Sequence, residues 1–378
     1  MEEISHTLKF LLSPEAIKLS CAKVWEVQNN YSLDEKALKR VSDQLENDSQ
    51  ELIRDYEEFW SLKVEGENLG LDLLETMLSN APLEKATTLI DLLTLIELLA
   101  PGQGERVLSE KQLDRHKKAI AAMFRSSLFS SPGKVACEAD AIHSIPADSL
   151  AHGFNLFEQS TELNLAIRSG ILRALATHLT SKPEVFSQQR PGNLARYFLS
   201  HFGSRLSAGE LLQSLLYTVG PCYYFGFRYE QNLIGDVWHY AGMGEVRSPS
   251  QALAVFHRRF TRLAFAMIEP LALLGIEVTN PEHLVCFSGP QHFSFLLDQQ
   301  ILQKESPGLP FLELGSDVTI AARASTVRCF DHIFQNLRSK LEGLSVSKTY
   351  YLIERAVNQH SEKNIQEPLA LDTPDGFF

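Results

Sequence analysis

Long apolar runs are missing from this chain. No stretch of its 378 residues approaches about 18 uninterrupted apolar positions, so no segment is expected to span a membrane. Cysteine is scarce as well. The five present (Cys21, Cys137, Cys222, Cys286 and Cys329) are scattered, odd in number and never spaced as CxxC. That pattern argues against zinc knuckles and against a disulfide framework. Positive charge is in short supply, with 35 Lys+Arg against 47 Asp+Glu and a net charge of −12. A broad nucleic-acid-binding surface needs a basic stripe, so a nucleic-acid polymer is not an expected partner. The opening MEEISHTLKFLLSPE carries acids where a secretory leader needs basic residues, which makes a cytoplasmic location the expectation. Phosphate loops, dinucleotide fingerprints, HExxH and GxSxG elbows are absent, and no HxH spacing marks a metal site. A metal site is therefore unsupported, and nucleoside-triphosphate, dinucleotide, zinc-protease and serine-hydrolase chemistries lose their usual anchors.

What remains is a globular composition, 44% hydrophobic and 22% charged, long enough for a large core. Helical periodicity dominates. Residues 33–63 read as polar amphipathic helices, and TTLIDLLTLIELLA (87–100) as an apolar helix stopped by Pro101-Gly102. Helices are also expected over 161–179, over PGNLARYFLSHF, and over SAGELLQSLLYTV with Ser207 as its N-cap. Residues 252–276 read as one long helical pattern containing a proline, and DHIFQNLRSKLEGL and TYYLIERAVNQH as further helices. The alternation in PFLELGSDVTIAARASTV (310–327) suggests a short hairpin around Gly315-Ser316. The expected fold is mainly α with a minor β-hairpin. The Ser/Pro/Gly-rich part of 103–148 is the best joint, dividing an N-terminal helical subdomain (1–145) from a C-terminal one (146–378).

The segment LAFAMIEPLALLG (263–275) holds one ionisable group, Glu269, followed at once by Pro270. Proline removes a backbone donor and collides with the carbonyl four residues back, so the helix should kink or restart there. A lone carboxylate in such a run is costly to bury, and desolvation lifts its pKa towards the range of a general base. Arg262 lies two turns earlier, with Arg258 and His257 on the turn before, so cations and one acid are expected to face a common cleft. Asp236, in LIGDVWHY (233–240), is a second acid in an apolar and aromatic setting. Phe287, His292 and Phe293 could stack on a planar ligand. Plainer readings stand beside these: Glu269 as a helix-end acid or ion-pair partner, HRRFTR as a solvated face, Asp236 as a turn residue, the aromatics as core.

GDVW (235–238), FHRRFTRLAFAMIEPLALLGI (256–276) and FLLDQQIL (295–302) together resemble, in this order, the uracil-catabolism family of fungi and bacteria that uses a ribosylurea route. LLSPEAIKLSCAKV, KPEVF…RPGNL (182–194) and the closing Glu362-Lys363 with Asp375-Gly376 and Phe378 fit the same layout. More distantly, FTRLAFAMIEPL (260–271) is similar to a block of the queuosine-nucleotide N-glycosylase (queuosine salvage) family. That likeness lays Glu269 over the family's catalytic Asp and Arg262 over its Arg. The chain departs from both families at FSGPQ (287–291), where they carry an acidic and Tyr-Arg triplet.

The resemblance implies a helical, DNA-glycosylase-like architecture and metal-free, cofactor-free cleavage of a ribose C1′–N bond. The implied substrate is a small ribosylated urea, pyrimidine or modified nucleoside or nucleotide. Glu269 is then the catalytic carboxylate. Asp236 is a second catalytic candidate, contacting ribose or the leaving group together with Asp298. Arg262, Arg258 and His257 would hold a phosphate or ribose hydroxyls, Phe287 and His292 would face the base, and Lys363 would close the pocket. The alternative is a non-catalytic helical binding or scaffold protein that retains the fold.

Overall fold

In the computed structural model the described residues are 6–55, 80–99, 110–154, 162–222, 228–229, 232–233, 235–244, 252–305, 315–341 and 344–363. They form a mainly α protein in which every strand belongs to a two-stranded pair. The chain divides into two compact units. One comprises Met1–Pro14, Asn68–Gly235 and Arg259–Leu284, the other Glu15–Glu67, Asp236–Arg258 and Val285–Phe378.

In the first unit α1 (His6–Leu11) precedes α4 (Pro82–Leu99), α5 (Glu110–Arg125), α6 (Ala139–His143), α7 (Ala147–Phe154) and α8 (Glu162–Ser181). Then come α9 (Leu194–Phe202), α10 (Ala208–Thr218), α11 (Arg258–Ala266) and α12 (Ile268–Leu273). The axis of this unit is α4. Its Leu89, Ile90, Leu92, Leu93, Leu95, Ile96, Leu98 and Leu99 are all buried, so beyond its first turn the helix is enclosed by its neighbours. A parallel pair joins β2 (Arg205–Ser207) to β7 (Glu277–Thr279), with Leu206 opposite Val278. Ser207 is the N-cap of α10. Its hydroxyl accepts from the Glu210 N–H at 3.2 Å, and the Glu210 carboxylate accepts from the Ser207 N–H at 2.8 Å, a reciprocal capping box.

The second unit holds α2 (Pro14–Val27), α3 (Glu35–Asp55), α13 (Pro290–Asp298), α14 (Asp317–Lys340) and α15 (Val346–Lys363). Antiparallel pairs join β1 (Tyr31–Leu33) to β8 (Leu302–Lys304) and β5 (Val237–His239) to β6 (Leu253–Val255). Its core is α14, whose Ile320, Ala321, Ala322, Ala324, Phe330, Ile333, Phe334 and Leu337 are buried.

Two local expectations are corrected. The hairpin placed at 310–327 is not there: from Asp317 onward the chain is helical, and residues 310–314 lie outside the described set. Ser316 caps this helix by accepting from the Thr319 N–H at 3.3 Å, and its alanines favour a helix. Burial on all sides of 319–327 removes the polar face that would have revealed a 3.6-residue period. The β content sits instead in the small pairs. Second, 252–276 is not one helix. Residues 253–255 form β6, and α11 and α12 are separated at Met267. Pro270 is the third residue of α12, where its missing N–H costs nothing, while its ring excludes a continuous helix through Ala266.

Candidate functional site

In the second unit Asp236 sits in the turn leading into β5 and is 8% exposed. Arg323, in the middle of α14, is 1% exposed and grips it with both terminal nitrogens. Nη1 donates to Oδ1 at 2.9 Å and Nη2 donates to Oδ2. The Trp238 indole N–H also donates to Oδ1, at 2.6 Å. Burial alone would raise the Asp236 pKa, but the Arg323 charge and hydrogen bonds, with that of Trp238, hold it below the ordinary carboxylate value. Its backbone carbonyl accepts from the N–H groups of Phe256 (3.0 Å) and His257 (3.4 Å). The Arg323 guanidinium carbon lies 3.9 Å from the centre of the Phe256 ring.

Around this pair lie four more of the expected site residues. His257 is fully buried and has a left-handed backbone, φ +47°. Arg258 opens α11 and packs against Gly289, the residue before α13. His292 is buried; its Nδ1 accepts from the Gly289 N–H at 3.3 Å and its Nε2 faces Glu354 at 3.1 Å, so Nε2 carries the proton. Phe287 is buried too, stacked on Tyr350 at 5.0 Å and close to Phe330 and Phe334. Its ring faces are occupied by the core. Asp298 lies apart, at the exposed end of α13, facing His360 at 3.2 Å. Lys363 ends α15, but its side chain lies outside the described residues. Cys21 and Cys286 lie near the Asp236–Arg323 pair; burial pushes the Cys286 thiol up to about 11 and that of Cys21 well above its ordinary value, so both are inert thiols.

Glu269 and Arg262 belong to the first unit. Glu269 is the second residue of α12, which packs against α4, and it is half-buried. Desolvation raises its pKa, with the Lys85 charge acting in the opposite direction. Arg262 faces the Glu97 carboxylate of α4 at 3.6 Å, and Arg259 donates to the Glu97 backbone carbonyl at 3.1 Å. The same helix carries Asp91, 0% exposed, whose carboxylate accepts from the Arg190 Nε (3.0 Å) and Nη2 (2.6 Å), the Gly192 N–H (2.7 Å) and the Cys137 N–H (3.0 Å). Burial lifts its pKa to about 6 against the pull of Arg190 and of the Cys137 and Gly192 N–H groups.

Arg323 and Asp91 are the residues that reading the sequence missed. A signal was present for both, because each is an isolated charge in an apolar or small-residue run, the same criterion that singles out Glu269. Among the described residues no group of three His, Cys, Asp or Glu is placed to hold a metal, and no helix is long and apolar enough to cross a membrane.

Fold and geometry together define a mainly helical protein with a buried carboxylate paired to an arginine in each unit. The chain belongs to the family described as "Protein of unknown function (DUF1688)", which matches residues 10–353. It is also similar to Protein urg3 of Schizosaccharomyces pombe, at 25% identity over 233 residues. That match covers 59% of this chain and 55% of the relative, so the chain spans little more than half of that protein's length. The likeness to queuosine-nucleotide glycosylases has no counterpart in these matches.

Proposed function

We propose that this protein is an N-ribosyl hydrolase of uracil catabolism, cleaving the C1′–N bond of a ribosylated urea or of a pyrimidine nucleoside or nucleotide. The observation that carries the reading is Glu269: a half-buried carboxylate in an apolar setting whose proton affinity is raised by desolvation. The uracil assignment follows the likeness of the 235–238, 256–276 and 295–302 blocks to the uracil-catabolism family. The FSGPQ departure leaves the leaving group open between urea and a pyrimidine.

C1′–N cleavage passes through an oxocarbenium-like ribose, which a nearby carboxylate stabilises. Glu269 in its ionised form takes that role and accepts a proton from the attacking water. The water oxygen bonds to C1′ as the C1′–N bond breaks, and the departing nitrogen takes up a proton from solvent, to which Glu269 returns the proton it accepted. Arg262, steadied by Glu97, offers its guanidinium to a phosphate or to ribose hydroxyls. Asp236 has both oxygens engaged by Arg323 and Trp238, which suits it to positioning rather than to attack.

The test is a substrate panel of uridine, uridine 5′-phosphate, ribosylurea and its 5′-phosphate, with released uracil, urea and reducing sugar measured. Release from at least one member is expected, and silence across the panel overturns the reading. Silence together with saturable binding of ribose 5-phosphate would favour the alternative, a binding protein without chemistry.

A further inference from the structure

In the second unit an open groove of about 620 Å³ runs along the outer face of α3, lined by Lys36, Lys39, Arg40, Asp43, Gln44 and Asn47. Lys36, Lys39 and Arg40 are exposed and three or four residues apart, so they share one face of the helix. Lys36 and Arg40, one turn apart, repel each other until an anion sits between them. Two nearby acids are already answered, because Lys340 of α14 donates to Asp43 and to Glu46, both at 2.7 Å. Neither Lys36 nor Lys39 forms an ion pair among the described residues. In a chain of net charge −12 this end of the groove is locally positive.

Hydrogen bonds tie the same end to the last turn of α15. The Arg40 Nη2 donates to the Gln299 carbonyl at 2.8 Å, and the Gln299 side-chain nitrogen lies 3.2 Å from the His360 Nδ1. His360 faces Asp298 with its other nitrogen, at 3.2 Å. It stands one turn before α15 ends at Lys363, and α15 itself packs against α3. The chain that follows Lys363 therefore starts beside the Arg40 end of the groove.

Residues 364–378, NIQEPLALDTPDGFF, lie outside the described residues, and their composition complements the groove. They carry Glu367, Asp372 and Asp375, and no Lys, Arg or His. Pro368 and Pro374 oppose a helix there, and an extended chain covers roughly 3.3 Å per residue, so Glu367 can reach about 13 Å from Lys363. Leu369 and Leu371 can lie along the alkyl stems of the lysines and the arginine.

We propose that residues 364–378 dock in the α3 groove of their own chain, with their carboxylates set against Lys36, Lys39 and Arg40. This surface is independent of the hydrolase reading, and no outcome below depends on the substrate panel.

The test is hydrogen–deuterium exchange on the 378-residue chain, with a synthetic peptide of residues 364–378 as the undocked reference. Amides of this segment should exchange about tenfold more slowly in the protein than in the peptide. Lys36→Glu/Lys39→Glu should bring them close to the peptide rate, with little change in melting temperature because both side chains are exposed. Adding Glu367→Lys/Asp372→Lys to that variant re-creates opposite charges with their positions exchanged, and should recover most of the protection. Salt at about 1 M, where charges are screened beyond about 3 Å, should release the segment in wild type. Exchange at the peptide rate in wild type overturns the proposal, and so does protection that survives Lys36→Glu/Lys39→Glu. Protection that falls on dilution assigns the groove to a second copy of the chain and overturns it too. If Lys36→Glu/Lys39→Glu fails to fold, Glu367→Lys/Asp372→Lys alone decides: loss of protection supports docking, and unchanged protection overturns it.

Discussion

Replacing Glu269 by Gln separates the chemical role of this side chain from any structural one. The amide keeps the shape of the carboxylate and removes its charge. Glu269 is half-buried and its pKa is raised by desolvation, so in the folded protein the ionised form carries a penalty that the amide lacks. Melting at neutral pH should therefore be unchanged or slightly improved, by about 0–2 kcal/mol, or at most a few degrees. Because the folded pKa is raised, that difference should grow as pH rises through it and vanish at lower pH, where wild type is itself protonated. Turnover should behave in the opposite way. Losing the charge that faces an oxocarbenium-like transition state should cost about 4 kcal/mol, or roughly a thousandfold in kcat. In wild type the acid limb of the pH–rate profile should lie above the ordinary carboxylate range of about 4.3, since the base form is required. Lys85 lowers the Glu269 pKa, so Lys85→Met should move that limb further up. Assays are initial-rate release of urea or uracil across pH and scanning calorimetry of the same preparations. Turnover by Glu269→Gln within tenfold of wild type refutes the catalytic role. A melting temperature lowered by many degrees refutes the electrostatic argument.

Two glycines should respond oppositely to alanine. At Gly192 a Cβ would collide with the Thr87 backbone carbonyl and come within 2.9 Å of the Asp91 Oδ1, whereas at Gly170 within α8 it meets nothing within 4 Å. Gly192→Ala should destabilise by several kcal/mol, of the order seen for overpacked cores, and Gly170→Ala should stabilise by about 0.5–1 kcal/mol, both read by chemical denaturation. Glu138 supplies a pH signature. Burial opposes its ionisation, but the Ser131 hydroxyl and N–H and the Lys134 ammonium prevail and hold its pKa at about 2. A depressed carboxylate contributes stability above its unfolded value and loses it as pH falls through the folded one. The melting gap between wild type and Glu138→Gln should thus be open at pH 7, on the order of 1 kcal/mol once solvent screening of this partly exposed group is counted, and narrow below about pH 4.5.

The candidate site was legible where its signal was chemical rather than positional. A lone Glu before a Pro in an apolar run stands out in any register, and so does Asp236 in the apolar and aromatic LIGDVWHY. Arg323 did not, because the β-branched residues at both ends of VTIAARASTV let the run pass for a strand. For Phe287 and His292 the core reading was open from the sequence but their partners were not, since stacking on Tyr350 and facing Glu354 both depend on α15, which begins more than fifty residues later.

What the amino-acid order settles by itself is local. The apolar helix at 82–99, the Ser207–Glu210 capping box and the interruption next to Pro270 follow from residues within a turn or two of one another. Their energetics are carried by adjacent backbone groups and by the composition of a single helix. Tertiary structure decided the rest. Asp236 meets Arg323 across 87 residues and Asp91 meets Arg190 across 99. Whether a buried carboxylate is held ionised or has its proton affinity raised depends on which cation folding delivers to it. That partner is fixed by the packing of α14 and of the 190–193 turn, which no local pattern encodes.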